Sequence, residues 1–491
     1  MSQRPAAVLV LAAGEGTRMK SATPKVLHEI LGRSLLGHVV AAVQGVGATR
    51  LVVVVGHARD AVVDHLGQIA PEADPVVQSD QFGTGHAVRL ALSAHAHLEG
   101  TVLVVCADTP LLTTATLAGL VAAHQASGVA ATVLTAQVGD PTGYGRILRD
   151  ADGHLAAIVE QPDASTGVLA IDEVNTGIYA FEAPALRAAL ERLTTDNSQG
   201  EEYLTDVVAL LRDGGAAVAA VRLADADEVR GVNDRVQLAQ AGRLMRDRVL
   251  TEWMRAGVSV VDPASTWVDV AVALAPDVTL LPNVQLHGDT SVASGAVVGP
   301  NVSLTDTTVA GGARILNATC VGAVVGPDAG VGPYTYLRPG TVLQAGSRAG
   351  GFVEMKNADV GVGAKVPHLS YVGDATIGDH ANIGAATIFV NYDGVAKHHT
   401  TVGRQARIGS DTMLVAPVSV GDGAYTAAGS VITDDVPAGA MGVGRARQRT
   451  IAGWVQRRRA GSASAQAAQS AEDDGSGQQS VAGGTEGGHG T

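Results

Sequence analysis

The chain has 491 residues, of which 46% are hydrophobic and 3% aromatic, and its formal net charge is −14 at pH 7. This length exceeds one ordinary hydrophobic core and predicts two or more domains, and the acidic balance argues against nucleic acid as the main partner. No apolar stretch approaches a membrane span and no leader pattern opens the chain, so we expect a soluble, cytoplasmic protein. Two distant cysteines, Cys106 and Cys320, predict a reducing compartment and no disulfide framework.

The N-terminal segment combines a strand, a glycine turn and two cations. An apolar run over 6–11 predicts a short buried strand, and the GEG sequence that starts at Gly14 lets the backbone wrap closely around a ligand. Arg18 and Lys25 place positive charge beside this turn, which is typical of phosphate sites. The dinucleotide fingerprint needs a glycine where Met19 stands, and no P-loop lysine motif is present. The string LAAGEGTRM followed by PK resembles the signature of sugar-phosphate nucleotidyltransferases.

Strand-like and helix-like segments alternate from about residue 5 to 230. The runs LVVVVG at 51–56 and TVLVVC at 101–106 are short, apolar and β-branched, as in central strands covered on both faces. The segment 87–97 has helical composition. This alternation predicts an α/β domain whose ligand loops lie at the carboxyl ends of a parallel sheet. Asp108 directly follows the second run and is therefore a candidate ligand of a divalent metal.

One amphipathic helix is predicted over 234–256, and we interpret it as a rigid connecting arm. Gly257 ends this helix. Its apolar positions recur at near-helical spacing, with arginines between them: Val236, Leu238, Leu244, Met245, Val249 and Trp253.

Beyond this helix aliphatic residues recur every six positions, often with a glycine directly after them. This is the hexapeptide repeat of a parallel β-helix, in which the aliphatic residue points inward and few aromatics are needed. Breaks in the register near 317–324, 345–370 and 386–401 predict loops, which often carry function on a rigid stack. The runs are Leu286, Val292, Val298 and Leu304; Val325, Val331, Leu337 and Leu343; Tyr371, Ile377 and Ile383; and Val402, Ile408, Leu414 and Val420.

The last segment is rich in Ser, Gly, Ala and Gln and predicts a disordered tail. The predicted organisation is a nucleotidyltransferase domain over 1–233, a linker helix over 234–257, a β-helix domain over 258–455 and the tail over 456–491.

The block 350–394 contains candidates for a second reaction. Acyl transfer to an amine needs a general base and donors for an oxyanion. His368 stands in an irregular excursion with Lys356 and Tyr371, and a histidine suits proton transfer near neutral pH. Glu354 is a candidate to orient its ring.

Ordered motifs over residues 5–455 resemble one family, the bifunctional bacterial N-acetylglucosamine-1-phosphate uridylyltransferase / glucosamine-1-phosphate N-acetyltransferase. The resemblance implies an α/β fold with a Rossmann-like nucleotidyltransferase domain, a linker helix and a left-handed parallel β-helix acetyltransferase domain. It implies acetylation of glucosamine-1-phosphate by acetyl-CoA, followed by reaction with UTP to give UDP-N-acetylglucosamine. Besides the N-terminal string and the 350–394 block, the motifs are Gln78, GTGHA at 83–87, Asp108, GYGR at 143–146, IVE at 158–160, NTG at 175–177 and GVN at 231–233.

For the nucleotide site the resemblance implies four groups of residues. UTP is held by Leu11, Ala12, Ala13, Gly14, Gln78, Gly83 and Thr84; its phosphates are neutralised by Arg18 and Lys25; Mg²⁺ is bound by Asp108 and Asn233; and the acetylated sugar is bound by Gly145, Glu160 and Asn175. The family pattern has Tyr-Gly where this chain has Cys106-Ala107, which puts a minor nucleotide contact in question.

For the acetyltransferase site the resemblance implies His368 as general base and a homotrimer with grooves between neighbouring prisms. The family pattern has glycine where this chain has Ala386. The sugar phosphate is bound by Arg338, Lys356, Tyr371 and Asn382, and acetyl-CoA by Ala385, Asn391, Tyr392, Ser410, Ala428 and Arg445.

Three other functions stay open on the sequence alone. The β-helix could be only an assembly scaffold for a nucleotidyltransferase, although the cluster around His368 argues against this. A non-catalytic regulatory subunit could retain both folds, although the intact cation and carboxylate set disfavours it. A zinc-dependent hydratase on the β-helix needs three converging histidines.

Overall fold

The computed structural model describes residues 4–479, which begin with an α/β domain. Its nine-stranded sheet has the order β11-β7-β10-β6-β1-β4-β5, with β8 paired to β10 and β9 paired to β8. The strands are β1 (Ala7–Ala12), β2 (Glu29–Ile30), β3 (Arg33–Ser34), β4 (Leu51–Val55), β5 (Asp74–Val77), β6 (Thr101–Cys106), β7 (Ala131–Gln137), β8 (Arg146–Arg149), β9 (Leu155–Val159), β10 (Glu173–Glu182) and β11 (Val218–Arg222), of which β2 and β3 form a separate hairpin. The helices are α1 (Leu35–Gln44), α2 (Arg59–Ile69), α3 (Thr84–Ala94), α4 (Thr114–Ser127), α5 (Thr166–Leu169), α6 (Ala183–Leu190) and α7 (Asp206–Asp213).

The three central strands explain where ligands can bind. Strand β1 pairs in parallel with both β4 and β6, and their valine-rich faces are covered on both sides by helices, so the predicted α/β arrangement is confirmed. The carboxyl ends of these strands therefore meet at one edge of the sheet. The helix predicted over 87–97 starts earlier, at Thr84, because Gly83 has a φ of 105° that suits the turn before a helix.

A long helix, α8 (Arg235–Arg255), connects the two halves of the molecule. The Asp234 side chain caps its N-terminus by accepting from the Gln237 N–H. Its buried face includes Met245 and Val249, whereas Val236, one of the predicted apolar positions, is exposed because it lies in the first turn. The Arg246 guanidinium lies over the Trp267 ring, which anchors the helix to the first coil of the next domain.

The second half is a parallel β-helix, as the six-residue spacing predicts. Leu286 pairs with Leu304, eighteen residues on, so three six-residue steps make one coil. One flat side is an eleven-stranded sheet: Ser259–Val260, Thr279–Leu280, Val297–Val298, Arg314–Ile315, Gly330–Val331, Arg348–Gly351, Lys365–His368, Asn382–Ile383, Arg407–Ile408, Tyr425–Thr426 and Met441–Gly442.

The remaining sides form a seventeen-stranded sheet that bends at the corners of the coil. Nearly all the predicted inward positions are buried in one continuous aliphatic column. Its strands are Trp267–Val268, Ala273–Leu274, Val284–His287, Ser291–Val292, Val302–Thr305, Thr308–Val309, Ala318–Val321, Val324–Val325, Thr335–Leu337, Val342–Leu343, Glu354–Val360, Tyr371–Ile377, Ile388–Val390, Thr400–Val402, Met413–Val415, Val418–Val420 and Val431–Ile432.

Two departures from the regular coil mark the second candidate site. Tyr371 was predicted to point inward, but Val372 is the fully buried residue and Tyr371 is half-buried, because a seven-residue strand, Tyr371–Ile377, replaces the short ones. Phe389 pairs with Leu414, twenty-five residues on, because the segment 391–399 is inserted into this coil. The predicted break at 386–401 thus contains a loop. The predictions of loops at 317–324 and 345–370 are wrong, because these segments form strands of the coil: Ala318–Val321, Val324–Val325, Arg348–Gly351, Glu354–Val360 and Lys365–His368.

The C-terminal segment contains two helices, α9 (Trp454–Arg458) and α10 (Ala463–Gln479), where the sequence predicts a disordered tail. Alanine and glutamine favour helix, which accounts for the difference over this part. The rest of the predicted tail, 480–491, lies outside the described residues. Within 4–479, no helix has both the length and the hydropathy to cross a membrane.

Candidate functional site

A cavity of about 290 Å³ lies at the carboxyl ends of β1 and β6. The turn after β1 forms one wall, where Gly14 has open space around its Cα and Gly16, with a φ of 64°, lies directly against the Lys25 side chain. The cavity is lined by nine predicted residues, Leu11, Ala12, Ala13, Gly14, Lys25, Gln78, Gly83, Thr84 and Asp108, and by five others, Val26, Gln81, Ala87, Cys106 and Glu201.

Gln81 is the most informative of the residues that sequence reasoning missed. Its Nε2 donates to the Ala13 carbonyl at 2.7 Å and so fixes the glycine turn from the opposite wall. Gln81 lies in sequence between Gln78 and Gly83, which were both predicted to bind UTP. This proximity is the one feature of the sequence that could have identified Gln81 as a residue of the site.

The cations and oxygen donors predicted for phosphate and metal converge at one end of the cavity. Lys25 Nζ lies 2.6 Å from Asp108 Oδ2 and 3.3 Å from Asn233 Oδ1. Arg18 Nη2 donates to the same Asn233 oxygen at 2.9 Å, across 215 residues of sequence. One cation thus lies between a carboxylate and an amide oxygen, the hard donors that Mg²⁺ prefers, so these residues fit a magnesium site.

The turn before α3 is built to hold a flat polar group. Gln78 Nε2 donates to the Gly83 carbonyl at 3.1 Å and lies 3.1 Å from His86 Nδ1. A Cβ at Gly83 would approach the Glu202 carbonyl to 2.6 Å, so only glycine fits. The Leu204 N–H donates to Thr84 Oγ1 at 3.1 Å, which ties the turn to the segment behind it.

The residues predicted for the sugar lie together on the β8–β10 side. The Asn175 N–H donates to the Gly145 carbonyl at 2.8 Å, and a Cβ at Gly145 would lie 3.3 Å from the Glu160 carboxylate. Burial raises the pKa of Glu160, and the Thr205 hydroxyl, donating at 3.2 Å, opposes this shift. The Glu160 carboxylate is of the kind that binds sugar hydroxyl groups. The buried Asn175 amide is bonded within the protein, since its Nδ2 donates to the Tyr179 hydroxyl at 2.7 Å and its Oδ1 accepts from the Gly177 N–H at 3.2 Å.

Cys106 lines the cavity next to Asp108. Burial raises the pKa of its thiol to about 12, which keeps it protonated and unreactive. Its Sγ–H points to the Gly177 carbonyl at 3.7 Å. The protonated state agrees with the prediction that this cysteine is not catalytic, although its side chain is half-buried, whereas Cys320 is buried as predicted.

The second candidate site lies on the outside of the β-helix. His368 is exposed at the end of the strand Lys365–His368, so its ring is free to reach a ligand. Its carbonyl accepts from the Ala386 N–H at 3.2 Å and from Ser370 Oγ at 2.8 Å, which fixes the backbone. Glu354 pairs instead with Arg338, whose Nη1 lies 2.9 Å from Glu354 Oε1, so the predicted orientation of His368 by Glu354 does not appear.

Polar side chains from three neighbouring coils meet over Gly373. A Cβ there would lie 2.5 Å from the Tyr371 hydroxyl and 2.6 Å from Asn391 Nδ2. Beside them Lys356 lies close to Lys397, and this neighbouring cation lowers the pKa of Lys356. Lys397 was missed by sequence reasoning, although it lies in the inserted segment where a functional loop was predicted.

The residues predicted for acetyl-CoA follow one edge of the coils. Gly384 packs against Ser410, and Gly409 packs against Ala428 on the next coil. The Ala385 N–H has no protein acceptor within the described part of the chain. Ala386 has a φ of 59°, the conformation that favours glycine, so the alanine here adopts a strained backbone. The same edge continues to Arg445, while Asn382 pairs with Lys365 in the strand that carries His368.

These features define a nucleotidyltransferase domain joined to a parallel β-helix. Residues 8–199 match the model of the MobA-like NTP transferase domain family. The chain is 60% identical to the bifunctional protein GlmU of Streptomyces coelicolor over 96% of its length and 99% of the relative's. It is 58% identical to the bifunctional protein GlmU of Thermobifida fusca over 96% of its length and 98% of the relative's. The chain belongs to this family of bifunctional GlmU proteins.

A solved UDP-glucose pyrophosphorylase complexed with UDP-glucose overlaps 50% of this chain and 99% of its own. The TM-score of this overlap is 0.42 at 18% sequence identity.

Proposed function

We propose that this chain carries out two consecutive reactions of UDP-N-acetylglucosamine synthesis. The β-helix transfers an acetyl group from acetyl-CoA to glucosamine-1-phosphate, and the N-terminal domain joins the product to UTP with release of pyrophosphate. The observation that carries the proposal is the presence of two separate polar sites, one around Lys25 and Asp108 and one around His368. Membership of a family of bifunctional proteins supports it.

In the first domain the triphosphate lies along the glycine turn with its uracil against Gln78 and the Gly83–Thr84 turn. Asp108 and Asn233 would hold Mg²⁺, which would supply positive charge to offset that of the phosphate groups. Lys25 and Arg18 stabilise the charge that develops on the phosphate oxygens. A phosphate oxygen of the sugar phosphate attacks the α-phosphorus in line, a P–O bond forms, and the bond to pyrophosphate breaks. Gly145, Glu160 and Asn175 orient the sugar for this attack.

In the second site Arg338 and Lys356 bind the phosphate of glucosamine-1-phosphate, and Tyr371 and Asn382 contact the amino sugar. The amine nitrogen attacks the thioester carbonyl, and His368 removes a proton from that nitrogen as general base. A C–N bond forms, the C–S bond breaks, and the CoA thiolate leaves and takes up a proton. The unpaired Ala385 N–H stabilises the oxyanion of the tetrahedral intermediate. The CoA moiety follows the edge formed by Asn391, Tyr392, Ser410, Ala428 and Arg445.

We further propose a homotrimer for this chain. Three large apolar side chains at one corner of successive coils, Tyr334, Phe352 and Leu369, are each about 60% exposed, and the first two rings stack at 5.1 Å. A contiguous apolar stripe of this kind is typical of a protein contact surface. It runs toward the coil that carries His368, so a neighbouring β-helix packed against it closes the open second site.

A coupled assay with separate readouts tests the proposed function. The full chain is given acetyl-CoA, glucosamine-1-phosphate, UTP and Mg²⁺, and free CoA and pyrophosphate are measured independently. The expected result is release of both, with pyrophosphate depending on the acetylated product. If N-acetylglucosamine-1-phosphate is supplied and the chain releases pyrophosphate but no free CoA, the β-helix is only a scaffold for a nucleotidyltransferase. If the chain releases neither product, it is a regulatory subunit. Loss of CoA release on zinc chelation would instead support metal chemistry on the β-helix.

A further inference from the structure

The connecting helix α8 contacts the segment that carries Asp108. The Arg248 side chain, about two turns before the end of the helix, donates from Nη1 to the Leu111 carbonyl at 2.8 Å across 137 residues of sequence. Leu111 lies three positions after Asp108, in the short connection between β6 and α4. A cation from outside the nucleotidyltransferase sheet thus fixes the backbone of this connection.

The apolar packing of the same segments also joins them to α8. Leu111 and Val232 are fully buried, and they belong to the cluster formed by Met245 and Val249 of α8 and by the β-helix column. They are not part of the two clusters that flank the nucleotidyltransferase sheet. The Val232 N–H also donates to the Asp108 carbonyl at 2.8 Å. The segments of both candidate metal ligands are therefore joined to each other and packed on α8.

The first turn of α8 makes two more contacts with the site. Gln237 Oε1 accepts from the Asn233 N–H at 2.7 Å. Arg235 Nε donates to the Met19 carbonyl at 3.1 Å, at the end of the turn that carries Arg18. The helix therefore contacts the segments that carry Asp108, Asn233 and Arg18, which supply three of the four groups that meet at this end of the cavity.

From these contacts we infer that Arg248 is a positioning residue for nucleotidyl transfer, which holds Asp108 at the separation from Asn233 that a metal ion requires. The inference rests on the proposed function, because it assigns a role within that reaction. Two oxygen ligands serve one small cation only when their spacing is held closely, and neighbours that orient metal ligands commonly affect metal affinity. Strand β6 ends at Cys106, two residues before Asp108, and Asn233 directly precedes the N-cap of α8, so the contacts of α8 with both segments set the spacing of the two ligands.

The test compares Arg248→Met and Arg248→Lys with Arg243→Met, a control on the exposed side of the same helix. Binding of UTP is measured by calorimetry without metal and with a Mg²⁺ titration. We expect Arg248→Met to bind UTP as the parent chain does without metal and to need about tenfold more Mg²⁺ for the tighter complex. Arg248→Lys, which keeps a donor for the Leu111 carbonyl, restores part of the loss, and Arg243→Met shows none.

Two further readouts separate this role from a general effect on folding. Acetyl transfer by the same full-length variants, and their thermal unfolding, should stay at parent values. An unchanged Mg²⁺ requirement in folded Arg248→Met overturns the inference, and so does a loss of acetyl transfer and thermal stability together with the metal effect. Failure of the proposed function is distinguishable, because then the parent chain itself releases no pyrophosphate from UTP.

Discussion

The two candidate sites are assembled in opposite ways. The nucleotide site is a cavity built from distant segments, since Arg18 meets Asn233 across 215 residues and Lys25 meets Asp108 across 83. The acetyltransferase site is an open surface built from residues on neighbouring coils, about one repeat apart in sequence, with one inserted loop. A sheet topology can enclose a ligand within one chain, whereas a repeating coil presents an open edge.

Their electrostatics differ as well. In the first site the Lys25 ammonium is paired with a carboxylate, and both side chains are largely buried. In the second, Lys356 lies against another ammonium, that of Lys397, which lowers the pKa of Lys356. In the first site Lys25 must therefore exchange Asp108 for a ligand, while Arg18, which donates to the Asn233 amide oxygen, adds a further positive charge. In the second site Asp374 lies beside Lys356 and Lys397 and offsets part of their charge, and a phosphate group would neutralise the rest.

The largest expected effect comes from removing the base of the open site. His368→Ala should lower the rate of acetyl transfer by about 10²- to 10⁴-fold, because a positioned general base contributes that much. Uridylyl transfer from supplied N-acetylglucosamine-1-phosphate should be unchanged, since the ring lies on the outside of the β-helix. Release of free CoA and of pyrophosphate measures the two reactions. His398→Ala, on the surface loop, is the control, and an equal loss there would contradict the assignment.

The reciprocal effect is expected in the enclosed site. Lys25→Met keeps the aliphatic stem but removes the charge beside Asp108, and it should lower uridylyl transfer by about 10²- to 10³-fold through lost stabilisation of phosphate charge. Acetyl transfer should remain at the parent rate. The exposed Lys20→Met serves as the matched control. If Lys25→Met removed both activities in a folded chain, the two sites would not be independent.

Sequence patterns predicted the repetitive and local parts of this molecule well. The six-residue spacing identified the inward column, and the GEG turn identified one wall of the cavity, because both depend on neighbours in sequence. The prediction that Tyr371 points inward was wrong, because a six-residue period does not reveal that the seven-residue strand Tyr371–Ile377 replaces the usual short strands. The partner of Glu354 was also missed, since Arg338 reaches it from the preceding coil and the sequence gives no side-chain direction. Long-range contacts such as Arg248 to Leu111 leave no local signal at all.

A smaller effect should show how closely the cavity wall depends on glycine. Gly83 combines a φ of 105° and a ψ of 178° with a carbonyl 2.6 Å from where a Cβ would lie, whereas Gly47 has a φ of 70° and open space around it. Gly47→Ala should therefore cost about 1 kcal/mol of unfolding free energy from the left-handed backbone alone. Gly83→Ala should cost about 2 to 3 kcal/mol, because its backbone lies in a region that only glycine adopts readily and the carbonyl must also move. Denaturant unfolding of the nucleotidyltransferase domain measures both, and equal losses would show that neither the backbone conformation nor the close carbonyl at Gly83 adds to the cost.

The smallest expected effect concerns Glu160, whose pKa is raised by burial in the sugar pocket. The folded chain then binds this proton more tightly than the unfolded chain, so stability is highest at low pH and falls as pH rises from the unfolded value through the raised folded value. Glu160→Gln keeps the acceptor for Thr205 but cannot ionise, so it should gain stability relative to the parent across that window and then level off.

Calorimetric unfolding of the enclosed domain between pH 4 and 8 measures this difference, with the exposed Glu99→Gln as the control that should follow the parent at every pH. The open site offers no matching effect, because its groups lie in contact with water, where a protonation change costs little stability. Parallel curves for Glu160→Gln and the parent would mean that the carboxylate is solvated. The sugar pocket would then be as open as the edge of the β-helix, and the contrast between an enclosed and an exposed site would fail at this point.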